Sequence, residues 1–539
     1  MLFAGIKTER DLDALKKRIL KDRELFATIL RIRKAMNFRY GAIGDKQTMI
    51  TNAELLAFYR ELVKSGKEKS DRAVELLLRK IKTKSNSGVA VVSVLTKPYP
   101  CPGNCLYCPT EAKMPKSYLS KEPAAARALL NDFDAVRQTH SRLKALVTNG
   151  HLTDKVEMIV IGGTWGAYPQ KYREDFARDL YFACNTFGAR NNKLRKKRSL
   201  VAEQKINETA KCRVIGLSVE TRPDWIKEKE ILHMRALGVT KVELGVQHLD
   251  EKVLWKNRRF TSRTQIAEAT RLLRDCGFKI VYHMMLNLPF STPRKDLASF
   301  EELFVNKDFC PDMLKIYPCV VLESSDLCQV WRDGKFKPYS ARTLKELLIA
   351  VKKIVPPYVR IMRVIRDIPG AYVLAGNKAT NLRQDILADQ KKNNWSCKCI
   401  RCREVREEEV QSKELKMKKT IYPTLGGKEI FLSWEMRDGK KIASFLRLRL
   451  PREDVVATEA LRGAAIVREL HTYGLLTQIG EKGRQSQHLG LGRKLLQEAE
   501  HIARQASFNK IAVISGVGVR DYYRKRGYKL HDTYMVKLL

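Results

Sequence analysis

Residues 88–109, GVAVVSVLTKPYPCPGNCLYCP, set three cysteines directly behind an apolar run of strand composition. Cys101, Cys105 and Cys108 fall within eight residues. Three thiolates at that spacing can hold three irons of a [4Fe-4S] cluster and leave the fourth iron open to an outside ligand. A fully ligated cluster uses four cysteines. The alternative is a three-cysteine zinc site closed by a distant ligand. Pro102, Gly103 and Pro109 suit a loop wrapped tightly around such a group.

Downstream, strand-like and helix-like segments alternate. The strand candidates are 88–97, 155–164, 212–221, 241–247, 279–289 and 313–321, with amphipathic stretches such as 223–236 and 262–276 between them. Such alternation predicts a parallel sheet with helical crossovers. About six units suit a partial (β/α)6 barrel, whose active site would lie at the C-terminal strand ends. The predicted organisation is therefore α/β with four parts: a basic helical region at 1–85, a barrel domain at 86–390, a lysine-rich linker at 391–420 and a second α/β domain at 421–539. In the first part Leu12, Leu15, Ile19, Phe26, Ile29 and Ile32 recur at near-helical spacing. The last part opens with EIFLSWEMRDGKKIASFLRLRL, two β-rich runs around a hairpin signal at Asp438-Gly439. A strand at 464–475, a glycine turn with a helix at 487–505, a strand at 510–516 and a final helix and strand follow.

The 102 Lys and Arg against 60 Asp and Glu give a formal charge of +42. That excess favours a polyanionic partner, since neutralising phosphates releases counterions; a salt-adapted surface is the alternative. Residues 1–84 carry 21 basic and 11 acidic side chains, a net of +10, and Asn192–Arg198 reads NKLRKKR. No run of about 18 apolar residues is present, so no membrane span is expected. The N-terminus turns charged too soon for a secretory signal, and a cytoplasmic location is the expectation. The twelve cysteines then argue against a disulfide framework. Beyond the first cluster, Cys397, Cys399 and Cys402 form a second in a basic, polar context, a zinc candidate that needs one further ligand. His471 is the natural fourth.

Gly490, Leu491, Gly492 and Arg493 open the helix KLLQEAEHIA, and glycines there let backbone N–H groups approach a pyrophosphate. The pattern Gln487-x-x-Gly490-x-Gly492 resembles the acetyl-CoA signature of the GNAT family of N-acetyltransferases. The preceding IVRELHTYG and following GVRDYYRKRGY match that fold's order of elements. The first cysteine cluster resembles that of the radical S-adenosylmethionine (SAM) superfamily. Gly162-Gly163-Thr164 ends the second strand candidate, where that superfamily sets a glycine-rich segment against the SAM amino group. Glu220 and Arg222 end the third, where polar residues meet the SAM ribose and carboxylate.

Together these features resemble one family closely, that of the catalytic third subunit of Elongator. The resemblance runs through DKVEMIVIGGTW, GLSVETRPDW, VELGVQHLDEKVL, HMMLNLPFSTP, LKIYP, RVIRDIP, AIVRELHTYG, QHLGLG and GVGVRDYYRKRGY, nearly the whole chain. It implies carboxymethylation of the tRNA wobble uridine at carbon 5. SAM on a [4Fe-4S] cluster would yield a 5′-deoxyadenosyl radical, which would take hydrogen from the acetyl-CoA methyl group. The carbon radical would then add to the uracil ring, and thioester hydrolysis would release the product. Such chemistry needs cofactors, because uracil carbon 5 resists ionic alkylation. The base would enter flipped out of the anticodon stem-loop.

The resemblance also implies site residues. Lys155 would act near acetyl-CoA, or is a strand-edge charge. His283, with Tyr282 beside it, and Lys315 and Tyr317 end core strands toward the presumed cavity. Glu469, Leu470, His471 and Thr472 would line acetyl-CoA through their backbone, and Tyr522 or Tyr523 would lie near the thioester. A homodimer or Elongator-like partner subunits fit the resemblance; DNA is not an expected partner. Two rivals remain: a protein lysine acetyltransferase with a structural iron–sulfur domain, and a radical SAM methylthiotransferase whose second cluster sits on Cys397, Cys399 and Cys402.

Overall fold

A computed structural model describes residues 24, 27–32, 51–79, 88–188, 194–379, 381–406, 410–452, 458–474 and 489–539. These fall in two compact units, 1–85 with 142–153, and 86–141 with 154–539. The first unit takes in a dozen residues beyond the predicted 1–85. Arg60 donates to the Val147 carbonyl at 2.9 Å, and Arg79 to that of Gly150 at 2.9 Å. Its helix Asn52–Lys64 starts at a capping box in which Thr51 and Glu54 satisfy each other's backbone N–H groups. Leu55, Leu56, Phe58 and Tyr59 pack against Ile32, Val74 and Leu78, with Ile29 at the edge. Leu12, Leu15, Ile19 and Phe26 lie outside the described residues.

The second unit contains two seven-stranded sheets. The first is parallel throughout: β1 Ala90–Leu95, β2 Lys155–Ile161, β3 Arg213–Thr221, β4 Lys241–Gln247, β5 Lys279–Leu286, β6 Met313–Pro318 and β7 Arg360–Arg363, paired in chain order. β1 and β7 are not paired, so the barrel stays open. All six predicted strands form, and the four-residue β7 extends the sheet by one. Val and Ile dominate β1 and β2, as expected of strands covered on both faces. Crossover helices start at side-chain caps, Ser262 before Arg263–Asp275 and Thr292 before Pro293–Val305.

The second sheet runs β8 Leu415–Thr424, β9 Gly427–Met436, β10 Ile442–Pro451, β11 Ala464–Thr472, β12 Lys510–Val513, then β14 Tyr534–Leu538 and β13 Lys529–His531. β9 and β10 form the hairpin, with Gly439 at φ +73° in its turn. β8 begins at Leu415, inside the stretch predicted as linker. Its sequence, LKMKKTIYPT, forms an edge strand whose lysines and Pro423 face solvent, and such a strand reads as a polar tether. β11 pairs with β12 in parallel only from Ala464↔Lys510 to Val467↔Val513. Among the described residues no strand pairs with it on that side from there to Thr472, while the helix Leu491–Gln505 packs on β10 and β11.

Buried ion pairs join the two sheets. Arg468 lies 2.5 Å from Asp312, just before β6, and 2.7 Å from Glu429. Arg449 meets Asp275 at 2.9 Å, and Arg447 meets Glu469 at 2.9 Å and Asp312 at 3.5 Å. All three arginines are at most 1% exposed. Burial pushes the Asp312 carboxyl up, but Arg468 and Arg447 outweigh it and hold it down to about 2.

Candidate functional site

The cysteine loop lies at the C-terminal end of β1. Cys105 is buried, and Cys101 and Cys108 are half-buried. Their thiols do not converge within 4.8 Å, the spacing that suits a single ion; a four-iron cube holds its ligands farther apart. Burial and the neighbouring Cys105 push the Cys108 thiol up to about 12, with Lys116 pulling the other way. A side chain at Gly103 would collide with the Arg222 guanidinium, which fills that space and pairs with Asp224 at 2.9 Å. At the end of β2, Gly162 and Gly163 take φ of +139° and +98°, open only to glycine. A Cβ at Gly162 would run into the Thr96 hydroxyl. Thr164 lies 3.8 Å from the Cys101 sulfur. The segments predicted for SAM therefore surround the cysteine loop, and the donor set fits a cluster with SAM.

Below this loop a polar group fills the barrel. Register places Glu220 beside Glu243 on β3 and β4, and His283 beside Lys315 on β5 and β6. The His283 ring lies 2.8 Å from the Glu243 carboxylate, which also receives Lys315. Glu220 takes a hydrogen bond from Tyr118 at 2.6 Å and lies 3.6 Å from Lys315. Burial would raise Glu243, but Lys315 and His283 hold it well below the ordinary carboxylate range. Burial works against the Lys315 charge too, and Glu243 overrides it and raises the ammonium. Tyr317 meets His283 edge-on at 5.5 Å. Tyr282, by contrast, is fully buried and bonds Thr270 instead. The sequence alone does not single out Glu243. Its only signal is a lone carboxylate inside the apolar run KVELGVQ.

Lys155 is not part of this group. It begins β2 beside Arg213, at the strand end opposite the cysteine loop. That edge abuts the turn that follows β12, since a Cβ at Gly518 would stand 2.6 Å from Arg213.

In the second sheet three elements converge. A Cβ at Gly492 would lie 3.3 Å from the Tyr522 hydroxyl, 3.5 Å from the Thr472 hydroxyl and 3.9 Å from Leu470. Gly490 caps the helix at φ +67°. The strand end, the helix start and Tyr522 thus converge on Gly492 beside the edge of β11. Leu491 is buried and Arg493 is exposed at the helix start. Tyr523 packs into the core with Tyr528, so Tyr522 is the one at the glycine turn. Glu469 directs its side chain to Arg447, leaving only its backbone for a ligand. Gln487 lies outside the described residues.

Cys397, Cys399 and Cys402 bring their sulfurs within 4.8 Å of one another. His471 does not join them, contrary to the sequence expectation. Register sets it opposite Phe445, and its ring packs on Phe445 and on Tyr473 at 4.4 Å. Its Nε2 is buried without a hydrogen bond, and burial lowers the imidazole to about 4. No other histidine or carboxylate among the described residues completes that group.

A cysteine loop on an open parallel barrel, with glycines at the next strand end, defines a radical SAM protein. The Radical SAM superfamily profile matches residues 99–300, and the Radical SAM C-terminal domain matches 311–392. A tRNA uridine(34) acetyltransferase of Dehalococcoides mccartyi is 45% identical over 84% of this chain and 98% of its own length. Human Elongator complex protein 3 is 38% identical over 86% of this chain and 87% of its own. The structure of Methanocaldococcus infernus Elp3 lacking residues 1–46 superposes with a TM-score of 0.72 at 38% identity, over 84% of this chain and all of that one. The chain belongs to the family of Elongator complex protein 3 and the tRNA uridine(34) acetyltransferases. No described helix is long and apolar enough to cross a membrane.

Proposed function

We propose that this chain is a radical SAM enzyme that builds a carboxymethyl group onto carbon 5 of the tRNA wobble uridine, with acetyl-CoA as the carbon source. The observation that carries the reading is the presence, in one compact unit, of the cysteine loop and of the Thr472–Gly492–Tyr522 convergence. Cys101, Cys105 and Cys108 would hold the [4Fe-4S] cluster, with Gly162, Gly163, Thr164, Glu220 and Arg222 around SAM. Bound there, the pair supplies hydrogen abstraction from an unactivated methyl group.

The chain's own residues do the rest. The barrel walls exclude water, and Lys315, kept charged by Glu243, offers N–H donors to a uracil carbonyl or enolate. His283 is oriented by the same carboxylate and can carry a proton. Tyr522 can donate to a thioester oxygen beside the backbone of Leu470–Thr472, and Lys155 stands at the barrel edge nearest the second sheet. Incubating tRNA anaerobically with carbon-labelled acetyl-CoA, SAM and dithionite tests the reading. Labelled carboxymethyluridine is expected. Label on protein lysines alone would instead support the acetyltransferase alternative.

Gly492→Val should raise the KM for acetyl-CoA about tenfold or more, because its added methyls would crowd Tyr522 and Thr472. Initial-rate kinetics check this, with kcat for tRNA at saturating acetyl-CoA the control.

Cys397, Cys399 and Cys402 are proposed to hold zinc, with a fourth ligand outside the histidines and carboxylates described. The segment ties the barrel to the second sheet: the Ile400 N–H meets the Val359 carbonyl at 2.9 Å and that of Val405 meets Ile442 at 3.0 Å. Elemental analysis should find about one zinc per chain, lost with a drop in melting temperature in Cys399→Ser. Iron at this position would point to a second cluster.

A further inference from the structure

Among the described residues four Phe, Tyr or Trp side chains are more than a third exposed: Tyr99, Trp255, Phe260 and Phe290. All four follow barrel strands on the side of the cysteine loop. Tyr99 lies between β1 and Cys101, Trp255 and Phe260 follow β4, and Phe290 follows β5. Exposed aromatics scattered at random would not gather at one mouth.

Their placement is built. The Trp255 and Phe260 rings meet edge to face at 5.0 Å, although they are 66% and 55% exposed. Phe290 takes φ +68°, a conformation a bulky residue rarely adopts, and Lys256 covers its ring at 4.7 Å. Fully buried Asn257 ties the two loops together. Its side-chain amide donates to the Pro289 carbonyl at 2.9 Å, and its main-chain carbonyl receives the Leu106 N–H at 3.0 Å. Leu106 stands between Cys105 and Cys108, so the aromatic rim is fastened to the cysteine loop itself.

The stretch Lys252–Arg263, KVLWKNRRFTSR, carries five basic side chains and no acidic one. Arg259 turns inward to the Gly245 carbonyl, while Arg258 and Arg263 pair with Asp326 and Glu302. Lys252 and Lys256 remain exposed beside the rings. Flat π-faces interleaved with lysines match unpaired nucleobases on a phosphate chain.

We infer that Trp255 and Phe260, with Phe290 and Lys256, form a stacking platform for unpaired bases flanking the uridine that enters the barrel. The inference rests on the proposed tRNA substrate and names the subsite that receives its loop. A base lifted from its loop leaves its neighbours unstacked, and a platform at the mouth offsets that loss.

The test compares the full-length wild type with Trp255→Ala/Phe260→Ala, and with Trp255→Phe/Phe260→Tyr as the variant that keeps π-faces. Affinity is measured by anisotropy for an RNA hairpin with an anticodon loop and for a blunt duplex of the same stem. A fluorescent adenine analogue next to the wobble position reports stacking. Both sites are exposed, so unchanged melting curves are expected. The alanine variant should lose about tenfold or more in hairpin affinity, keep its duplex affinity and salt slope, and lose the analogue's quenching. The aromatic variant should recover most of both. Equal hairpin affinity in wild type and alanine variant overturns the platform while leaving the tRNA reading intact. So does equal loss on hairpin and duplex, or loss of self-association in place of RNA affinity. A wild type that fails to bind the hairpin at all overturns the tRNA reading itself.

Discussion

Replacing Lys315 by methionine is expected to lower the rate of uridine modification about 10²–10³-fold, with little change in tRNA affinity. Lys315 is only 6% exposed, on β6 inside the barrel, so it cannot contribute much to docking a large RNA. Its ammonium is drawn toward Glu243 and lies 3.6 Å from Glu220. Two carboxylates thus fix one cation where water is scarce, and a fixed charge in such a site acts more strongly than in solvent. Methionine matches the side chain's length and apolar stem but carries no donor. Glu243 would then keep His283 at 2.8 Å and the Ser218 hydroxyl at 3.2 Å as partners, which limits the structural cost. Glu243→Gln should fall in the same direction by releasing Lys315, and Lys315→Arg should restore charge without the geometry. Single-turnover rates and binding isotherms separate the two effects. A variant with normal kcat and weakened tRNA binding would move Lys315 out of the chemistry.

The second large effect concerns the joint between the sheets. Asp312→Asn should destabilise the second unit by about 2–3 kcal/mol, because it leaves the buried Arg468 and Arg447 with one carboxylate each, Glu429 and Glu469. Asp312 is fully buried and faces Arg468 at 2.5 Å and Arg447 at 3.5 Å. Asparagine fills the same volume and can still accept from the Ile280 N–H, so the loss reports the charge. The pH dependence has a definite sign. The folded carboxyl sits at about 2 against an ordinary 3.8, so its contribution is complete above 3.8 and is lost as pH falls through about 2. Denaturant unfolding of wild type and variant at neutral and acidic pH should converge at the acid end. A constant difference down to pH 2 would assign the effect to packing.

The distance over which each signal acts explains what the sequence could reveal. The cysteine loop, the glycines at 162 and 163 and the hairpin at Gly439 are local features whose residue types dictate the backbone. The six longer strands are legible through their runs of Val and Ile. β7, four residues between Pro356-Pro357 and a charged loop, is too short for periodicity to register. The arginines of FLRLRL and IVREL look like surface charges until the barrel brings Asp275 and Asp312 against them from more than 130 residues away. His471 suits zinc by residue type alone; strand register sends it to Phe445 instead. The resemblance sets Lys155 near acetyl-CoA, and only the strand direction shows how far it stands from the cysteine loop.

On the proposed function the cysteine loop and the glycine turn serve one product. The decisive test is nucleoside mass spectrometry of tRNA after anaerobic incubation with SAM, acetyl-CoA and dithionite. Wild type is compared with Cys101/Cys105/Cys108→Ala and with Gly492→Val at limiting acetyl-CoA. The expected result is carboxymethyluridine from wild type, none from the cysteine variant and much less from Gly492→Val. Product from the cysteine variant, or acetylated protein without any modified uridine, would contradict the account.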